Sequence, residues 1–127
     1  MICPTEREAR VSLANKDDNV EAIANKVLLA TNCRNLLMKL GSNGFIMYTN
    51  GAGLTKRQHF PALNINPIDV AGAGDSLLAS LAVSMCSRGS AMQSAAIGAC
   101  VASLAVSTYG NTPVNVEQVK QRLRSFE

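Results

Sequence analysis

The 127-residue chain has no tryptophan, two tyrosines and three phenylalanines, so aromatics make up only 4% of it. It therefore offers no row of stacking platforms for single-stranded nucleic acid, and its core must be aliphatic and rich in alanine. A strong charge excess is missing too. Twelve Lys+Arg against nine Asp+Glu give +3 with the single histidine neutral, too little for the basic footprint of a nucleic-acid-binding protein. No run of about eighteen apolar residues is present to span a membrane, and the N-terminus lacks the charged, apolar, then small-residue order of a signal peptide. Cys3, Cys33, Cys86 and Cys100 stand too far apart to form a CxxC pair or a zinc ligand set. They read as buried small hydrophobes in a reducing compartment. Together these absences predict a cytoplasmic, soluble protein with neither nucleic acid nor membrane as partner.

What is present suffices for one domain over residues 1–127. With 47% hydrophobic and 17% charged residues, disorder is excluded, and a core can remove about two-thirds of the unfolded chain's surface from water. The apolar Met1-Ile2-Cys3-Pro4 opening resembles the end of a buried strand. Thr5-Glu6-Arg7-Glu8 has capping-box spacing, predicting a short helix that continues through residues 9–14. Val20, Ile23, Ala24, Val27 and Leu28 share one face of a helix expected over residues 18–31 and ended by Asn32 and Cys33.

Apolar runs at residues 36–40 and 45–48, separated by Gly41-Ser42-Asn43-Gly44, predict two strands and a tight turn; Asn50-Gly51-Ala52-Gly53 then leads into a third strand over 54–60. Short connections make this an antiparallel edge. Residues 61–67 read as extended, ending at Ile68-Asp69-Val70. Residues 75–86 are almost wholly apolar or small, as expected of a helix buried on most sides. Ser90 caps a further helix over 91–106 that should pack closely on it. After a turn at Tyr109-Gly110-Asn111, a polar helix is expected over 116–123, with Lys120, Arg122 and Arg124 as a solvated face. His59 reads as structural or exposed, and Met38, Met47, Met85 and Met92 as core filling. Alternating helices and strands indicate a layered α/β domain.

The most informative segment is Asp69-Val70-Ala71-Gly72-Ala73-Gly74-Asp75-Ser76. A glycine turn opening a helix aims backbone amides outward where the helix dipole adds positive potential, which suits a phosphate. Glycines admit positive φ and let an anion approach without meeting a Cβ. A dinucleotide fingerprint is excluded because the third glycine is missing, and a Walker loop because no glycine precedes Lys and Ser or Thr. Two readings stay open. Asp75 caps the helix, or it is a carboxylate built into an anion cradle, accepting a proton from a hydroxyl while the amides hold a transferring phosphate.

The Gly72-Ala73-Gly74-Asp75 core resembles the Asp-Thr-x-Gly-Ala-Gly-Asp signature of PfkB-type, ribokinase-like carbohydrate kinases, with Val70 in place of the common Thr. The resemblance extends along nearly the whole chain. Thr5 to Glu8 falls where that family has Asn-x-x-Glu, Leu40 to Gly44 at its nucleotide-side turn, and Ala105 to Pro113 at its C-terminal cation loop. It implies the C-terminal part of a ribokinase-like α/β/α fold and phosphoryl transfer from ATP to a hydroxyl of a sugar-like substrate. Asp75 would be the general base, and the amides around Gly72, Ala73 and Gly74 the hole for developing phosphate charge. Gly41, Ser42 and Gly44 would approach the nucleotide. Glu8 would organise magnesium and its water, although Thr5 stands where the family has Asn. Asp69, Ala71, Ala105, Thr108 and Gly110 would enclose a monovalent cation such as potassium.

Each implied role has a plainer counterpart: a capping box for Glu8 and a hairpin turn for Gly41 to Gly44. The Gly110 to Val114 ending resembles the kinase domain of ADP-heptose synthesis enzymes, but ribokinase, fructokinase and adenosine kinase relatives share the scaffold, so the sugar is left open. Family kinases are longer, and their sugar-binding residues come from an N-terminal half without counterpart here. The expectation is thus an ATP-binding portion inactive alone. The alternative is a non-catalytic nucleotide-binding or regulatory module that self-associates as a homo-oligomer through an unfinished sheet edge.

Overall fold

The computed structural model describes residues 1–64, 66–110 and 112–126. The described residues form a mixed α/β structure of five α-helices and one three-stranded antiparallel sheet of order β1-β2-β3. The elements run α1 (Glu6–Ser12), α2 (Val20–Thr31), β1 (Asn35–Lys39), a 3-10 turn (Gly41–Asn43), β2 (Phe45–Gly51), β3 (Leu54–Phe60), α3 (Ala73–Cys86), α4 (Ala91–Ala105) and α5 (Val116–Arg124). They fall into two compact units, Met1–Phe60 and Pro61–Glu127. None of the described helices is long and apolar enough to cross a membrane.

In the first unit, Thr5 caps α1 as its spacing predicts: its hydroxyl accepts from the Glu8 amide at 3.1 Å, and the Glu8 carboxylate accepts from the Thr5 amide at 2.6 Å. The helix stops at Ser12 instead of Ala14, because Ala14 turns left-handed at φ 48. Helix α2 starts at Val20, two residues later than expected. Asn19 provides the cap by accepting from the Ala22 amide, and Asp18 instead binds Lys26 and Asn15. Asn32 closes it in the left-handed conformation.

Ile23, Ala24, Val27 and Leu28 are buried and pack in one cluster with Leu36, Met38, Ile46 and Tyr48. Register explains that set, since Leu36 lies opposite Tyr48 and Met38 opposite Ile46 on a single sheet face. The Tyr48 hydroxyl donates to Glu21 at 3.1 Å, and Arg57 pairs with the same carboxylate, so α2, β2 and β3 are joined by one polar contact. Ala52 and Gly53 both have positive φ, 48 and 78, as a two-residue primed hairpin turn requires. The opening residues make two parallel bridges, Ile2 to Leu36 and Thr5 to Lys39, not a full strand. His59 is exposed, and its Nε2 lies 2.8 Å from the Asn43 carbonyl.

The second unit is centred on α3 against α4. Close approach depends on Gly98, where an added Cβ would sit 2.6 Å from the Leu77 side chain and 3.5 Å from Leu81. Ser94, fully buried, donates to Ser84 at 3.0 Å across the same contact. Helix α4 ends at Ala105 and starts at a Ser90 to Gln93 capping box; Asn115 and Gln118 repeat that device on α5.

Four expectations need correction here. Helix α3 is not buried on most sides. Only Leu77 and Leu81 are, and Leu78 and Val83 are 45% and 68% exposed, because its apolar residues surround the axis while α4 covers one face. The run expected to be extended through residues 68–70 is not one of the four; there the Ile68 and Asp69 amides donate to the Val106 carbonyl at 2.8 and 3.3 Å. Arg122 is not simply solvated, since it donates to the Leu63 carbonyl at 2.7 Å and lies over the Phe126 ring. Of the cysteines, Cys100 alone is buried, Cys86 is exposed, and Cys3 and Cys33 are half-buried; Met85 and Met92 are likewise half-buried, unlike Met38 and Met47 in the core.

Candidate functional site

Gly72 forms the N-cap of α3 at φ 75, a conformation that costs an L side chain about 1–2 kcal/mol and glycine nothing. Gly74 is different. It lies within the first turn of the helix, so its value is the absence of a Cβ beside the turn and not a special φ. The Ala73 amide donates to the Val70 carbonyl at 3.3 Å and the Ser76 amide to the Gly72 carbonyl at 2.9 Å, while no acceptor among the described residues takes the amides of Gly74 and Asp75. Two open donors thus meet the positive end of a 14-residue helix. Asp75, at the third helical position, is exposed.

Asp69 has a role that the sequence did not disclose. Its Oδ1 accepts from the Ala71 amide at 2.9 Å and its Oδ2 from the Gly110 amide at 3.0 Å, tying the segment before α3 to the loop after α4. These two amides, Ala71 first, hold its carboxyl below the usual aspartate range. A depressed carboxylate contributes stability above its ordinary pKa near 3.9 and loses it as pH falls through the lower folded value. The Ala71 and Gly110 amide proton shifts should therefore titrate together with a midpoint below about 3.9, and Asp69→Asn should abolish that titration. A midpoint at or above the ordinary value would contradict the clamp.

The clamp borders a hollow of about 270 Å³ lined by Gly72, Asp75, Ser76, Ala79, Ala105, Thr112 and Pro113. That is at the lower edge of the ~300–1,000 Å³ of ordinary small-molecule sites. Thr112 and Pro113 belong to the loop expected to hold a cation and Ser76 ends the glycine segment, whereas Ala79 was not singled out; its signal is its position one helical turn after Asp75. Of the residues expected around a cation, Ala105 is buried, while Ala71, Thr108 and Gly110 are exposed. The carbonyls of Ala71, Ala105 and Thr108 accept no hydrogen bond from the described residues, and that of Gly110 accepts the Thr112 amide at 2.9 Å. Asn111, expected in the same turn, lies outside the described residues.

The other expected residues belong to the first unit. Glu8 lies in an open hollow along α1 with Thr5, Arg7, Val11 and Ser12. Its Oε2 is engaged by the Thr5 amide, and that backbone hydrogen bond lowers its pKa, so it is held as a carboxylate with Oε1 uncommitted. Gly41 and Gly44 have φ of 61 and 81 and flank exposed Ser42. The Leu40 amide donates to the Gly44 carbonyl at 2.8 Å and the Gly44 amide to the Gly41 carbonyl at 3.1 Å, which makes this a closed turn. No cluster of three or more His, Cys, Asp or Glu able to hold a metal occurs among the described residues.

The chain matches the model of the pfkB family carbohydrate kinases over residues 1–118. The bifunctional protein HldE of Bradyrhizobium diazoefficiens is 26% identical over 127 residues, covering 97% of this chain and 25% of that protein. Arabidopsis thaliana ribokinase, solved in complex with ribose and ATP, superposes with a TM-score of 0.81 at 26% identity, covering 96% of this chain and 40% of its own. Phosphofructokinase-2 of Escherichia coli, solved with potassium, reaches 0.82 at 13% identity over 97% of this chain and 40% of its own, a likeness of fold alone. The chain spans a quarter of the curated relative and two-fifths of these two kinases. By sequence and by its ribokinase-like α/β structure, it belongs to the pfkB family of carbohydrate kinases.

Proposed function

We propose that this chain supplies the nucleotide-facing, base-bearing portion of an ATP-dependent sugar kinase, and that residues binding most of the sugar lie outside these 127 residues. The observation that carries this reading is the pair of uncommitted amides, Gly74 and Asp75, at the head of α3, beside a hollow of about 270 Å³ that Asp75 helps to line. In the proposed reaction Asp75 accepts the proton of a substrate hydroxyl as that oxygen forms a bond to the γ-phosphorus of ATP. The bond from phosphorus to the bridging oxygen breaks and ADP leaves with its electron pair. The uncommitted amides of Gly74 and Asp75 stabilise the charge on the transferring group. Gly41, Ser42 and Gly44 are assigned to the nucleotide, a turn in which Ser42 is exposed and free to donate.

Magnesium would neutralise phosphate charge in such a reaction, and it characteristically binds through one or two carboxylates with waters and substrate phosphates. Glu8 fits that requirement with Oε1, either directly or through a water. A monovalent cation fits the uncommitted carbonyls of Ala71, Ala105 and Thr108, whereas both oxygens of Asp69 already accept amides, which favours Asp69 as the clamp of that loop.

The 127-residue chain alone is expected to bind ATP weakly and to release no ADP in response to ribose or fructose, because it spans two-fifths of a kinase that holds both ribose and ATP. Sugar-dependent ADP release by the isolated chain would contradict that division, and failure to bind ATP at all would remove the nucleotide site. The same partial span favours a second reading, a nucleotide-binding or regulatory module without turnover. ATP binding with no turnover even when the chain is joined to a sugar-binding portion would select it.

A further inference from the structure

His59 is the only histidine of the chain, and it takes no part in the proton transfer assigned to Asp75. It stands at the end of β3, opposite Ile46 in the register and next to the Phe45 and Phe60 pair, whose rings stack with centroids 5.1 Å apart. From that strand end its Nε2 lies 2.8 Å from the Asn43 carbonyl. A carbonyl oxygen only accepts, so Nε2 is the donor and carries a proton in the neutral ring as in the charged one.

The contact falls on the softest peptide of the turn. Among the described residues, every other hydrogen bond of residues 41–44 stays within Leu40 to Gly44: the Leu40 amide to the Gly44 carbonyl, the Asn43 amide to the Leu40 carbonyl, and the Gly44 amide to the Gly41 carbonyl. Gly44 has φ 81 and ψ −130, the mirror image of extended backbone. Glycine adopts either form at no steric cost, so its own conformation does not fix the preceding peptide plane. That plane is instead held at both ends, its N–H on Gly41 at 3.1 Å and its C=O on His59. Rotation of the plane would break the bond to Gly41 that closes the turn around exposed Ser42. We infer that His59 is a positioning residue for the nucleotide: through the Asn43 carbonyl it latches the Gly41 to Gly44 turn onto the end of β3 in the form that meets ATP. The inference rests on the assignment of that turn to the nucleotide, and it holds whether or not Asp75 acts as a base.

The test uses the ¹⁵N-labelled 127-residue chain with His59→Ala and His59→Gln. Both changes fall at an exposed position and should keep the parent's circular dichroism. Glutamine puts an amide N–H at a reach similar to that of Nε2, and alanine puts none there. His59→Ala should move the Gly44 amide signal, which belongs to the peptide that loses its donor, and should weaken ATP binding about 3–10-fold, the size of one net hydrogen bond. His59→Gln should restore both. In the parent chain, ATP should move the His59 ring signal together with those of Ser42 and Gly44, all saturating at one affinity. ATP that binds without moving Ser42 and Gly44 would remove the turn from the nucleotide site, and this role with it. If ATP moves both, yet His59→Ala keeps the parent's Gly44 signal and affinity, the turn retains its nucleotide and the latch alone is overturned. Equal weakening by His59→Ala and His59→Gln would show that no donor is needed and overturn it as well.

Discussion

Asp75→Asn is expected to lower phosphoryl transfer by about 10²–10⁴-fold, the range attributable to a positioned general base, in a chain that joins this segment to a sugar-binding portion. ATP affinity should not weaken. Asparagine keeps the size of the side chain and removes the negative charge, and a carboxylate beside a triphosphate opposes binding, so its loss leaves affinity equal or tighter. That split separates the two readings of Asp75. Asp75 does not cap α3, since Gly72 is the N-cap and no side chain bonds there; a residue that only met the helix dipole from the first turn would cost about 0.3–1 kcal/mol of stability on substitution and would leave turnover largely intact. Steady-state ADP release together with ATP binding, measured on the same variant, distinguishes them, and unchanged turnover would remove the assigned base.

Leu81→Ala should be the most damaging single change in the second unit. Leu81 is fully buried on the α4 side of α3, next to the position where Gly98 has no side chain to move inward. Truncation therefore leaves a void, and Leu→Ala changes of this kind cost about 2–5 kcal/mol, a large part of the 5–15 kcal/mol that stabilises a typical domain. Gly98→Val tests the same contact in the opposite sense. Its added carbon atoms would drive into Leu77, an overpacking worth about 1–3 kcal/mol. Val83→Ala, two residues further along α3 but 68% exposed, should change stability by less than about 0.5 kcal/mol. Urea unfolding followed by circular dichroism ranks the three. If Leu81→Ala cost no more than Val83→Ala, the α3 to α4 contact would not be what holds Asp75 in place.

Much of the fold was legible because local signals and burial coincide. Thr5 and Glu8 cap α1 as their spacing requires, and Ile23, Ala24, Val27 and Leu28 lie on the face that the helical period assigns. Strand β3 is bounded by Leu54 and Phe60 as expected. Helix α3 was misjudged for a physical reason: its Leu, Val and Ala residues surround the axis, so periodicity gives no face, and only the position of α4 decides which are covered. Asp69 is expected beside a cation and Arg122 in solvent, and the contacts each makes instead were not legible for another reason. Their partners, the Gly110 amide and the Leu63 carbonyl, are 41 and 59 residues away along the chain, and long-range hydrogen bonds to backbone leave no trace in spacing. The glycine turn was legible as the start of a helix needing positive φ, but not the division of labour within it, in which Gly72 takes the left-handed conformation and Gly74 does not.

The most direct measurement is an ATP titration of the ¹⁵N-labelled 127-residue chain, following the backbone amides of Gly74 and Asp75. If the first turn of α3 holds the phosphates, these two signals should show the largest shifts, saturating together, while adenosine without phosphates leaves them in place. Binding of ATP that shifts other residues and leaves Gly74 and Asp75 unmoved would contradict the account.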